Sequence, residues 1–234
     1  MRLLRITCLV ALVSILSGCR SIDLGTNNVS TITPGRDAEI ATTFSKSELL
    51  FSSAQKFEKA GQIQEAIKLY EKAASASVAN EPGLIEANRH LAILYDLSDQ
   101  PKKANQAFQV ALNGKGPEDA ELLNDYGYFL LKQNDFDEAA RVLSIAHEKF
   151  PKNERITNNL AMALVSSGKV EDGFHLFEAS VGKNDALANV GAILLQTGRI
   201  TEGKNWLQQV AETSEVNNKA SQMLRAANSV SSSK

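Results

Sequence analysis

The amino-acid sequence predicts an all-α protein, a solenoid of about five stacked helix-turn-helix repeats closed by a C-terminal capping helix. Three observations lead there. Small residues recur about 34 residues apart at Ala54, Ala92, Gly127, Ala161 and Gly191, and again twelve places after each at Ala66, Ala104, Ala139, Gly173 and Gly203. A large apolar residue follows four places later in every copy: Tyr70, Phe108, Leu143, Phe177 and Leu207. Between the two small residues stands Gly61, Asp99, Asn134, Gly168 or Gly198, the residue types that end helices and make turns.

Each observation has a physical reason. Small side chains let two helix backbones approach closely, and the large residues fill the space between stacked pairs. One such pair cannot bury its own apolar face, so copies must stack. A simple helical bundle needs apolar seams but no common frame of this length. The third copy, Ala120 to Asn153, is the most regular. Leu123, Tyr126, Gly127 and Leu130 mark its first helix, and Glu138, Ala139, Leu143 and Ala146 its second, with Pro151 after them. The first step is longer than the rest and is expected to hold Glu81, Pro82 and Gly83 in an extended inter-repeat turn. The last is shortened at Gly182 and Lys183.

Ser45-Lys46-Ser47-Glu48 fits a capping box, with Phe44 and Leu49 placed as its hydrophobic staple, so the first helix is expected to start there. Asp135 followed by Glu138 offers a similar start for the second helix of the third copy. Beyond the fifth copy, Val216 to Val230 reads as a terminal amphipathic helix with Met223, Leu224 and Ala227 apolar; such a helix keeps a solenoid end soluble. The solenoid is thus expected over 45–230, with 231–234 as a disordered tail.

The N-terminal stretch sets an expected location. Arg2 and Arg5 precede the apolar run Ile6 to Leu16, about half of the ~20 residues a membrane-spanning helix needs, which fits the core of a signal peptide over 1–18. Leu16-Ser17-Gly18-Cys19 resembles the bacterial lipobox. That resemblance implies cleavage after Gly18 and acylation of Cys19, with firm membrane attachment, because each buried methylene of the acyl chains adds about 0.8 kcal/mol. Arg20 rather than Asp follows Cys19, which by the enterobacterial sorting pattern favours the outer membrane. Residues 19–44, rich in Ser, Thr, Asn and Gly, read as a flexible tether with a reach on the order of 25–30 Å.

Composition narrows the function classes. The chain is 43% apolar and 22% charged with a formal net charge of −2, and loss of Arg2 and Arg5 with the signal peptide makes it more acidic. Nucleic-acid binding needs a clustered basic surface, and only pairs such as Lys102-Lys103 occur. With Cys8 removed and Cys19 acylated, no thiol remains for a disulfide or a metal. His90, His147 and His175 lack metal-ligand spacing, apart from Glu171 and Glu178 about His175, which fit a surface helix better. No phosphate loop, nucleophile elbow or metalloprotease motif is present. The sequence therefore predicts a binding protein and not an enzyme, with no cofactor, no metal and no small-molecule substrate.

The frame resembles the tetratricopeptide repeat (TPR) family. Leu123, Gly127, Asp135-Phe136, Glu138-Ala139 and Pro151 carry the resemblance in the third copy. Leu160-Ala161, Gly168 and Phe177 carry it in the fourth, and Gly191, Gly198, Ile200 and Glu202 in the fifth. The usual early Trp is missing, and Gly173 and Gly203 stand for the common Ala. The resemblance implies a partner groove lined by two rows on the first helices, Phe51, Arg89, Asn124 and Asn158, and Gln55, Ile93, Tyr128 and Met162. Asn124 and Asn158 would bond a partner backbone. Phe51, Ile93, Tyr128 and Met162 would be apolar anchors. Glu121 and Asp125 stand where a carboxylate clamp has bases, which disfavours a partner's free C-terminal acid.

Leu122 to Leu130 is similar to a segment of PilF-type type IV pilus lipoproteins. Asn159-Leu160-Ala161 through Gly168, then Ala188-Asn189-Val190, is similar to the TadD family of tight-adherence pilus assembly. These resemblances imply an adaptor for a protein or peptide segment of a pilus or secretion assembly. A docking platform for peptidoglycan hydrolases or other envelope enzymes is the alternative.

Overall fold

The computed structural model describes residues 45–77, 82–115, 119–211 and 222–224. The signal peptide, Cys19, the tether, Phe44 of the staple, the tail and most of the terminal helix lie outside the described residues. Among the described residues, ten helices follow one another ahead of the short helical piece Gln222–Leu224. They are α1 Lys46–Lys59, α2 Ile63–Ala76, α3 Pro82–Leu97, α4 Pro101–Lys115 and α5 Ala120–Lys132, then α6 Phe136–Lys149, α7 Glu154–Ser166, α8 Val170–Val181, α9 Lys183–Gln196 and α10 Ile200–Ala211. They form five pairs, and each odd-numbered helix packs against its own second helix and against the neighbouring pair. None of the described helices is long and apolar enough to cross a membrane.

The two kinds of helix start differently. At α1 the Ser45 amide donates to Glu48 Oε2 at 2.6 Å and the Glu48 amide to Ser45 Oγ at 3.3 Å, the expected capping box. Asp119 caps α5 and Asn153 caps α7 through their side-chain oxygens. The second helices α2, α6 and α8 have no side-chain cap. They emerge directly from a tight turn. Gly61, Asp99, Asn134, Gly168 and Gly198 all have positive φ, between 56° and 98°. The next residue's amide then returns to a carbonyl five places back: Gln62 to Phe57, Gln100 to Tyr95, Asp135 to Leu130, Lys169 to Leu164 and Arg199 to Leu194, at 2.8–3.0 Å. This is the Schellman closure of a helix end, repeated five times.

Asp135 is therefore not the cap that the sequence suggested. Its φ of −85° and ψ of 68° are set by the turn, and its carboxylate makes no bond to the first amides of α6. Pro82 and Gly83 also differ from expectation, lying in the first turn of α3. Pro suits that position because the first helical amides have no intrahelical acceptor and its φ is already helical. The short last step holds: Gly182, at φ +84°, is the single residue between α8 and α9.

All fifteen framing positions are buried. At Gly173 an added Cβ would lie 2.7 Å from the carbonyl oxygen of Ala161, and at Gly203 2.8 Å from that of Gly191, so α7–α8 and α9–α10 touch backbone to backbone. The core runs along the stack, from Ala54, Tyr70 and Phe108 through Leu143 and Phe177 to Leu207. Of the terminal helix, Gln222–Leu224 is helical, and Met223 and Leu224 pack on Leu187, Leu207 and Val210.

Candidate functional site

Three of the four side chains in the first groove row are occupied by contacts between neighbouring repeats. Phe51, Arg89 and Asn124 each reach the residue that lies one place beyond the next member of the row. The Phe51 ring meets His90 edge-on at 5.5 Å. Arg89 donates to Asp125 Oδ2 from Nε at 3.1 Å and from Nη2 at 2.9 Å, and from Nη2 to Glu121 Oε2 at 2.8 Å. Asn159 Nδ2 donates to Asn124 Oδ1 at 2.8 Å. Asn158 instead accepts from Ser180 Oγ on α8 at 3.2 Å.

These contacts change what the row offers. Asn124 is only 3% exposed and its amide oxygen is engaged, so it is a buried tie between α5 and α7 and not the surface amide expected of it. Arg89 is half-buried. Burial alone would favour its neutral form, but its hydrogen bonds to Glu121 and Asp125, with their charges, outweigh this and hold the guanidinium charged. Arg155 Nη2 adds a longer contact to Asp125 Oδ1 at 3.9 Å, and Lys132 Nζ pairs with Asp96 Oδ2 at 2.6 Å between α5 and α3.

The second row is more open. Gln55, Ile93 and Met162 are half-buried, and Ile93 and Met162 also touch the core. Tyr128 is 43% exposed. From Leu122 to Leu131 every other residue is buried, apart from half-buried Asp125. Sequence reasoning missed Leu97, 66% exposed at the end of α3, four residues beyond Ile93 on the same face. That spacing could have located it.

His90 also has closer company than the sequence suggested. Its ring stacks on Tyr70 at 4.9 Å, and its Nδ1 lies 2.9 Å from Glu58 Oε2 without the alignment of a hydrogen bond. Tyr70 Oη donates to that same oxygen. These residues bring α1, α2 and α3 together. His147 Nδ1 contacts Thr157 Oγ1 at 3.2 Å, and exposed His175 faces Glu178 at 3.6 Å. Among the described residues no three His, Cys, Asp or Glu side chains come together as a metal site would require.

The tetratricopeptide repeat family profile matches residues 91–154 and 125–188, two overlapping windows over the middle repeats. These are tetratricopeptide repeats. Over 106 residues the chain is 28% identical to the type IV pilus assembly protein PilF of Pseudomonas aeruginosa PAO1. That match spans 44% of this chain and 42% of PilF. Among solved structures, YrrB, described as a TPR protein with an unusual peptide-binding site, superposes with a TM-score of 0.61 at 17% identity. The match covers 82% of this chain and 97% of YrrB. The Pseudomonas aeruginosa PilF structure gives 0.53 at 18%, over 84% and 90%. MamA from Desulfovibrio magneticus gives 0.58 at 17%, over 75% and 98%. At such identities the superpositions establish the TPR fold, and the stretch shared with PilF makes this a TPR protein similar to it.

Proposed function

We propose that this protein is a lipid-anchored scaffold on the periplasmic side of a bacterial envelope, holding a protein or peptide segment of a pilus or secretion assembly. The observation that carries the reading is Tyr128, a large ring left exposed in the middle of a helix whose neighbours are buried. An aromatic side chain with this much of its surface open to solvent is well suited to anchor a partner. Leu97, Ile93 and Met162 extend the apolar strip on the neighbouring first helices, and the amides of Gln55 and Asn158 flank it with donors and acceptors. The similarity to PilF supports a pilus partner.

In this reading the acyl chains on Cys19 hold the protein to the membrane, in the outer membrane by the residue that follows, and residues 19–44 carry the repeats away from it. The groove ties the assembly component down and performs no chemistry on it. The test is affinity capture from membranes, with the native chain compared with Tyr128→Ala plus Ile93→Ala. The double variant should lose its partners while keeping its circular dichroism spectrum. Partners retained at native levels would sink the groove assignment. A fatty-acid probe should label the native chain and not Cys19→Ala, and label that persists without Cys19 would refute the anchor.

A further inference from the structure

The side-chain ties between neighbouring first helices stop one step short of the end of the stack. Phe51 meets His90, Arg89 meets Asp125 and Asn124 meets Asn159. The next step of that pattern would join Asn158 on α7 to Asn189 on α9, and these two helices do pack together. The bond is not made. Asn158 Oδ1 accepts from Ser180 Oγ on α8 at 3.2 Å instead, and its Nδ2 has no partner among the described residues. The half-buried Asn189 amide has no partner there on either atom. Beside it, Ala188 and Ala192 hold in the fifth repeat the places of Asn124 and Tyr128 in the third. Both alanines are half-buried, as is Met162 on α7.

We propose that α7 and α9 seat an extended segment of the partner, gripped through its backbone and one large apolar side chain; this rests on the groove reading above. A primary amide offers a donor and an acceptor side by side. The interior of a helix has no free N–H or C=O to meet them, because its own turns use both. In an extended chain the N–H and C=O of one residue point to the same edge, so a single amide can engage both. Two amides with unused groups on adjacent first helices therefore match a strand and not a helix. Ala188 and Ala192 leave open the space that longer side chains fill in the third repeat. An apolar group of the partner placed there is taken out of water against those methyls. The earlier steps cannot serve in this way. Asp125 and Asn124 already accept from Arg89 and Asn159, and a partner backbone would have to break those bonds.

The test pans a random linear peptide library on phage against the full chain purified from membranes. Selected clones should share one large apolar position. Asn189→Leu keeps the volume and removes the amide, and should weaken a synthetic copy of a clone at least about fivefold. Its urea midpoint should match the native one, because Asn189 ties nothing within the chain. Ala192→Trp should abolish binding by filling the space, while Val110→Trp, at an exposed residue on α4, should leave it unchanged. N-methylating the peptide one residue at a time should lower affinity at alternate residues, since only one edge of a strand faces the amides. Full-strength binding to Asn189→Leu or Ala192→Trp, no selected clone, or N-methyl losses at every interior residue, as a helix would give, would overturn the proposal. Capture from membranes separates the two readings. Partners lost in Tyr128→Ala plus Ile93→Ala but kept in Asn189→Leu plus Ala192→Trp would leave the strip at Tyr128 standing and overturn this seat. Partners lost only in the second pair would support the seat and sink the strip.

Discussion

Asn159 Nδ2 donates to Asn124 Oδ1 at 2.8 Å, joining two first helices through a residue that is almost wholly buried. Asn124→Ala should therefore act on stability. Removing the acceptor strands the Asn159 donor between α5 and α7, at a cost of about 1–3 kcal/mol. The urea midpoint should fall with an unchanged slope, while partners captured through Tyr128 are kept. A midpoint like that of the native chain would mean that water replaces the bond.

Gly168 and Gly173 should fail for different reasons. Gly168 has φ +98° with no atom within 4 Å of an added Cβ, so Gly168→Ala meets only backbone strain, about 1–2 kcal/mol. Gly173 has ordinary helical φ, but its Cβ would sit 2.7 Å from Ala161 O, where a carbonyl cannot rotate away. Gly173→Ala must push α7 and α8 apart and is expected to cost about 1–3 kcal/mol, the range for overpacking. Denaturation of both variants is the check. The distinguishing result is a crystal or NMR shift of α8 against α7 in Gly173→Ala alone.

The frame was legible because backbone contacts and left-handed turns each tolerate few residue types. Ala66, Gly173 and Gly203 sit where helices touch, and Gly61 and Asn134 where φ is positive, so single positions carry the signal. The rows of the groove could be placed for the same reason. Their contacts could not. The periodicity of α5 says which face meets α6 but not that Asn124 is covered by Asn159, because that depends on how far each pair is rotated on the last. Asp135 misled because a carboxylate after a Schellman turn is held by the turn's dihedrals and cannot reach the amides it would cap.

Arg89 ties α3 to α5 through two carboxylates, of which Asp125 is largely buried and Glu121 largely exposed. The exposed partner contributes little. Arg89→Ala leaves Asp125 with only the 3.9 Å contact to Arg155 and should cost about 1–3 kcal/mol. Arg89→Lys should recover part of this at most, because an ammonium cannot present the two-pronged fork that reaches Asp125 from Nε and Nη2 together. A double-mutant cycle with Asp125→Ala should give a coupling of about 0.5–3 kcal/mol. A coupling near zero would remove this pair from the account of repeat stacking.

Tyr70 and Tyr95 should make the stack sensitive to alkali. Burial raises each phenol well above the ordinary value of 10.0, and the hydrogen bond to Glu58 or Glu71, with that carboxylate's charge, raises it further. Below about pH 10 both the folded and the unfolded chain keep these protons, and the stabilising contribution is complete. Above it the unfolded chain ionises first while the folded chain still holds its protons. Stability then falls as pH rises toward the folded values, by up to about 1.4 kcal/mol per unit for each tyrosine. Tyr70→Phe should be less stable at neutral pH, since it leaves Glu58 without its donor, yet its stability should decline less steeply above about pH 10. Urea unfolding across that range measures both slopes. Equal slopes for the variant and the native chain would mean that the Tyr70 phenol ionises alike in the folded and unfolded states.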